Sequence, residues 1–172
     1  YDSQKQRTRK VIRRNTDEYW ERIYLGGYEL YRRYVNDVLT DVTETHHLFA
    51  DEQRILIVED KRVENSSFII HHSSLQRYQY GNHLGSVGLE MTGDPLAPQI
   101  ISYEEFHPYG TTAYQARNTA ISAAAKRYRY TGMERDEESG LAYHTARYYL
   151  GWLGRWGSCD PIGVEGGMNL YG

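Results

Sequence analysis

Ile23-Tyr24-Leu25-Gly26-Gly27-Tyr28-Glu29-Leu30-Tyr31 sets two strand-like arms around a glycine pair. Adjacent glycines supply the positive φ angles that a tight turn requires, so the stretch reads as an antiparallel hairpin. The pattern recurs along the chain. His47-Leu48-Phe49-Ala50 and Ile55-Leu56-Ile57-Val58 flank the polar Asp51-Glu52-Gln53-Arg54, with the charged residues 59–62 following. Residues 75–80 and 87–91 flank Gly81-Asn82-His83-Leu84-Gly85-Ser86. Gly93-Asp94-Pro95 marks a turn, after which Gln99-Ile100-Ile101-Ser102-Tyr103 reads as a strand closing at Pro108-Tyr109-Gly110.

Residues 114–126 hold the alanine-rich Ala123-Ala124-Ala125 and are open to a short helix or a surface loop, the latter with a helical turn being preferred. Arg127-Tyr128-Arg129-Tyr130-Thr131 alternates with period two, residues 134–140 read as a polar turn, and with residues 141–144 and 147–149 the segment reads as a further antiparallel pair. Successive hairpins without βαβ alternation predict a mainly β, antiparallel fold with little helix. Hairpin repeats of this kind stack on neighbours and rarely fold alone.

Composition supports that reading. The 17 tyrosines stand against 3 phenylalanines and 3 tryptophans among 172 residues, and rings with a polar tip suit half-buried strand faces. The length fits one ordinary domain. A net charge of -3, from 20 basic and 23 acidic residues, gives no basic field for nucleic acid. Cys159 is the single cysteine, which excludes an intrachain disulfide and a cysteine zinc cage. No apolar run is long enough for a membrane span, and residues 1–14 contain no signal-peptide core. The start at Tyr1 without methionine and the stop at Tyr171-Gly172 within a strand or turn pattern point to a larger protein.

Residues 127–172 resemble the RHS repeat-associated core. Its pattern stands here as Tyr130-Thr131-Gly132, Glu134-Arg135-Asp136-Glu137, Ser139-Gly140-Leu141 and Ala146-Arg147-Tyr148-Tyr149. It continues through Leu153-Gly154-Arg155-Trp156 and Asp160-Pro161-Ile162-Gly163 to Gly166-Gly167-Met168-Asn169-Leu170-Tyr171. Upstream, residues 80–86 are similar to a His-Leu-Gly-Ser repeat of the family, with Asn82 at an aspartate position. Phe106-His107-Pro108-Tyr109-Gly110 is similar to its Pro-aromatic-Gly turn. Tyr1-Asp2 with Gln6-Arg7 resembles the YD repeat, with Lys5 where glycine is usual. The middle segments are especially similar to the C component of insecticidal toxin complexes.

The resemblance implies a repeat-hairpin region over 1–126 and a core segment over 127–172, ending before the family's second Asp-Pro-x-Gly. It implies part of a hollow β shell around an unfolded toxic C-terminal region. The partners implied are the rest of that shell, the toxic region and a B-type component of a toxin complex. The chain is expected to be secreted or cell-surface associated as part of a larger protein, to need no cofactor and to be no complete enzyme.

Asp160 is the sharpest chemical candidate, because the resemblance implies an aspartyl autoprotease built from two such aspartates. That chemistry needs two carboxylates close enough to share a proton, one as base for water and one polarising the carbonyl. Asp160 therefore supplies at most half a site, and Asp94-Pro95-Leu96-Ala97 lacks the glycine. Some similar sequences carry arginine before the aspartate, whereas Cys159 stands here, which removes a fixed positive charge. The competing reading of Asp160 is a turn residue capping its own backbone. His46-His47 and His71-His72 point to opposite strand faces and form no metal site, and Cys159 has no partner histidine motif. The basic residues 7–14 beside Tyr19 and Trp20 read as a solvated strand. The tyrosines leave a glycan-binding or receptor-binding face as an alternative to sheet packing.

Overall fold

The computed structural model describes residues 1–3, 6–64 and 70–171. Lys5 and Gly172, both used in the family comparison above, lie outside the described residues, as does the side chain of His71. The fold is 54% strand and 4% helix, with antiparallel sheets. The chain forms two compact units, Tyr1–Tyr78 with Thr92–Ala97, and Gln79–Met91 with Pro98–Gly172.

The first unit is a meander of β1 (Arg9–Arg13), β2 (Glu18–Leu25), β3 (Tyr28–Val35), β4 (Val38–Ala50), β5 (Gln53–Glu64) and the part of β6 (Ile70–Gly81) that ends at Tyr78. Each strand pairs with its successor in sequence. The β2–β3 hairpin is as read, with Leu25 opposite Tyr28. Gly26 takes φ 63°, and nothing lies within 4 Å of where its Cβ would be, so the turn asks for backbone freedom rather than space. The β4–β5 turn is shorter than the sequence implied. Ala50 pairs with Gln53, and Asp51 adopts φ 53°, a conformation that aspartate tolerates because its short polar side chain can bond locally. Gln53, Arg54 and residues 59–62 therefore belong to β5, and Arg54 lies over the Phe49 ring.

Charge pairing, more than apolar burial, ties these strands together. Ile57 is the buried apolar side chain among the described residues of this unit, while Glu21, Glu29, Glu59 and Arg77 are also buried. Arg9 reaches Glu21 at 2.7 Å across β1–β2, and Arg33 reaches Glu18 at 2.6 Å across β2–β3. Glu29 accepts from Arg22 at 3.0 Å and lies 2.8 Å from His47 Nε2. Arg77 meets Glu59 at 3.1 Å. Most partners sit directly opposite or one diagonal step away on the same face, where cross-strand charges attract. His46 is exposed against Tyr28 while His47 is buried, so the two rings do face opposite ways.

In the second unit, β7 (Val87–Thr92), β8 (Ile100–Phe106) and β9 (Thr112–Arg117) pair in order. A separate four-stranded sheet follows, made of β10 (Glu134–Arg135), β11 (Ala142–His144), β12 (Arg147–Leu150) and β13 (Arg155–Trp156). Residues 118–126 form the preferred loop, with a turn at 119–120, but Tyr114 to Arg117 complete β9 instead of starting that loop. Asn118 Oδ1 accepts from Ala120 N, the Arg117 guanidinium donates to the Ala123 carbonyl, and Ala123 is buried, so tertiary contacts override alanine's helical preference. Residues 127–131 are not a strand. They make one bridge, Tyr128 to Glu134, and then close into a 3₁₀ turn in which Thr131 and Gly132 take positive φ.

Replacing Gly26 with valine is expected to lower stability by about 1–2 kcal/mol, the left-handed cost for a residue with a Cβ, and asparagine by less. Urea midpoints of the two variants check the order.

Candidate functional site

Glu104 on β8 anchors the segment that leads to the four-stranded sheet. Its side chain is fully buried and accepts from Lys126 at 2.9 Å, from Thr112 Oγ1 at 2.8 Å, and from the Arg129 guanidinium through both nitrogens. Burial alone would raise this carboxyl, but hydrogen bonds and positive charge from Arg129 and Lys126 outweigh it and hold the group below its ordinary range. Lys126 also donates to the Val87 carbonyl at 2.5 Å, and Val87 N donates to the Arg129 carbonyl at 3.0 Å.

The motif residues cluster around this anchor. Asn82 Oδ1 accepts from the N–H groups of Leu84 and Ser86 at 3.0 and 3.1 Å, which explains an aspartate or asparagine at that place. Ser86 Oγ accepts from Thr131 N at 2.9 Å. Tyr130 donates to the Pro108 carbonyl at 2.8 Å, and its ring occupies the space where a Cβ on Gly110 would stand, 2.4 Å away. Glu134 is buried against Arg127 at 2.8 Å. The Pro-Tyr-Gly and Tyr-Thr-Gly motifs are thus two halves of one clasp.

Asp160 Oδ1 accepts from Ile162 N at 3.0 Å, so Asp160 does cap its own turn, and its backbone pairs with Leu170 and Gly163. Its other oxygen, Oδ2, lies 3.2 Å from Arg147 Nη2. The positive charge expected to be missing beside Asp160 is therefore supplied from β12, although Cys159 precedes it. Cys159 itself is exposed, with Sγ 2.9 Å from the Tyr171 hydroxyl.

The β11–β12 hairpin sets Arg147 opposite His144, and Tyr149 opposite Trp156 on β13. The Arg147 guanidinium lies 4.1 Å from the Trp156 ring centre, and His144 meets the same ring edge-on at 5.1 Å. Burial first, and the charge of Arg147 second, push the His144 imidazole below its ordinary value. The sequence reading missed Arg147 and His144 because their importance comes from register. Their signal was the two-residue spacing that makes them a cross-strand pair.

No group of His, Cys, Asp or Glu suited to a metal ion occurs among the described residues. A depression of about 370 Å³ beside Glu90, Ser102, Arg117 and Lys126 holds charges already engaged with protein groups. Some tyrosine faces are in use, since Tyr19 stacks on Tyr34 at 4.7 Å and arginines cover Tyr24 and Tyr31, while Tyr78, Tyr80, Tyr109 and Tyr114 are exposed.

No family model matches the sequence. Toxin subunit YenC2 of Yersinia entomophaga is 50% identical over 95 residues, 55% of this chain and 9% of the relative. Probable deoxyribonuclease RhsA of Dickeya dadantii is 36% identical over 76 residues, 39% of this chain and 5% of the relative. The crystal structure of TcdB2-TccC3 superposes with a TM-score of 0.83 and 33% identity, covering 99% of this chain and 8% of that chain. This chain is similar to RHS/YD-repeat proteins, and among them to the C component of insecticidal toxin complexes. It spans under a tenth of the length of YenC2 and of the TcdB2-TccC3 chain. The motifs acquire a physical content in this setting, since Pro108-Tyr109-Gly110 and Tyr130-Thr131-Gly132 are the residues of the Tyr130 clasp.

Because the Glu104 carboxyl titrates lower in the folded state than when unfolded, its contribution is complete above about pH 4.5 and is lost as pH falls through the lowered value. Glu104→Gln is expected to cost about 3–5 kcal/mol at neutral pH, leaving Lys126 and Arg129 buried without their anion. It should also flatten the loss of stability between pH 5 and pH 3, as read by urea unfolding across that range.

Proposed function

We propose that this chain is a wall segment of an encapsulating toxin shell, with the repeat-hairpin region over 1–126 and the core segment over 127–172 near the closing end. The observation that carries the reading is the TcdB2-TccC3 superposition over 99% of the chain. The physical design agrees with it. Few apolar side chains are buried, and buried ion pairs across strands hold the sheets together instead. The partners are then the rest of the shell, the toxic C-terminal region inside it and a B-type component, with the whole protein secreted or at the cell surface. No helix among the described residues is long and apolar enough to cross a membrane.

In the intact protein that carries this chain, the C-terminal region should resist added protease, and deletion of residues 127–172 should leave it digestible. Equal digestion of both proteins would refute encapsulation.

A second reading concerns Asp160, and the Arg147 contact favours it. Asp160 would be one half of an aspartyl autoprotease, completed by a carboxylate outside the described residues. One carboxylate would take a proton from water as its oxygen joins the amide carbon, and the other would protonate the carbonyl oxygen. Collapse would then break the C–N bond, with the proton leaving on the amine. In a protein extended through the next Asp-Pro-x-Gly, cleavage is expected with Asp160 and none with Asp160→Asn, as followed on a denaturing gel.

A further inference from the structure

Arg135 is a half-buried arginine whose guanidinium is paired with no acid among the described residues. It stands on β10 opposite Ala142, whereas its neighbour Glu134 stands opposite Tyr143 and so points to the other face of the strand. Glu134 is taken by Arg127, and Glu104 by Lys126 and Arg129. Burial first, and the like charge of Arg129 second, push the Arg135 guanidinium below its ordinary value, and Glu104 and Glu137 offset this only in part. An arginine nevertheless keeps its charge, so the site carries an uncompensated cation.

That cation borders a cavity of about 30 Å³, lined also by Thr111, Arg129, Tyr130, Tyr149 and Trp152. Part of the wall is bare backbone. Gly140 turns there with φ 73°, and a Cβ on it would stand 3.6 Å from Arg135 Nη2 and 3.7 Å from Trp152 Cζ3. A Cβ on Gly151 would meet the Tyr109 carbonyl at 3.0 Å. One water takes about 30 Å³ in the liquid, so the space admits a single small species and is too small for a carboxylate side chain. A neutral water would leave the guanidinium charge unbalanced. A monatomic anion balances it, and the ring edge that Trp152 turns to this point carries partial positive charge.

We propose that this cavity is a halide site, in which a chloride ion is held by the Arg135 guanidinium against the Trp152 edge. The ion would tie the turn between β10 and β11 to the Thr111 segment, and chloride would then strengthen this part of the second unit where a merely screening salt would not.

The test uses the intact protein that carries this chain. In crystals soaked in bromide, an anomalous peak is expected beside Arg135 Nη2, and none in Arg135→Gln. In solution the reporters are the Arg135, Asp136 and Gly140 amides, which donate to the Arg127, Leu141 and Asp136 carbonyls. For a dissociation constant of about 10 mM, replacing gluconate by about 100 mM chloride at constant ionic strength slows their hydrogen exchange about tenfold. Amides of β2 and β3 should not respond, and Arg135→Gln should exchange alike in the two salts. Should that variant fail to fold, the wild-type peak and the wild-type salt response decide the matter alone. No peak beside Arg135, or an acidic side chain in its place, overturns the proposal. A peak without any chloride effect on exchange marks binding at crystal concentration only and overturns it as well.

Discussion

A carboxylate stripped of water inside a sheet must be compensated, and Glu104 is compensated by Thr112, Lys126 and Arg129 at once. That requirement fixes more of the second unit than any apolar contact. Lys126 and Arg129 can reach Glu104 only if the chain between them runs past Val87, which both also contact. Once it does, Tyr130 falls onto Gly110, Thr131 onto Ser86, and the four-stranded sheet begins at Glu134. Removing the carboxylate would leave two buried cations with no reason to share one place.

The same solution operates in the first unit through Glu21, Glu29 and Glu59, each met by a cation from a neighbouring strand. Ion pairs of this kind add little net stability over apolar side chains of the same size. What they add is register, since a one-residue slip would turn each acid to the opposite face from its partner. For a long meander of similar hairpins, that specificity matters.

The hairpins were legible in the sequence because turn chemistry is local. Gly26-Gly27, Asn82 with Gly85, and Asp94-Pro95 each announce a bend by residue type. The two-residue turn at Asp51 was overestimated because polar Gln53 and Arg54 resemble loop residues, yet a sheet that buries charges accepts them as strand. The alternation over 127–131 misled for a related reason. Its conformation is set by Val87, Glu104 and Ser86, 20 or more residues away, which no local pattern contains. At the candidate site, Asp160 was visible from its motif and its capping role from the following proline. Arg147 was not, because the contact depends on where a hairpin places a side chain.

These features belong to one mode of construction: strands held by charge, bends held by Asx turns, and the 127–134 segment clasped onto the sheet of its own unit. An experimental density map of the intact protein carrying this chain tests that account most directly. It should show Glu104 joined to Lys126 and Arg129 within a wall that has solvent on its outer face and separate, less ordered density enclosed on the other. Hairpins closed around a solid apolar core, with nothing enclosed, would contradict it.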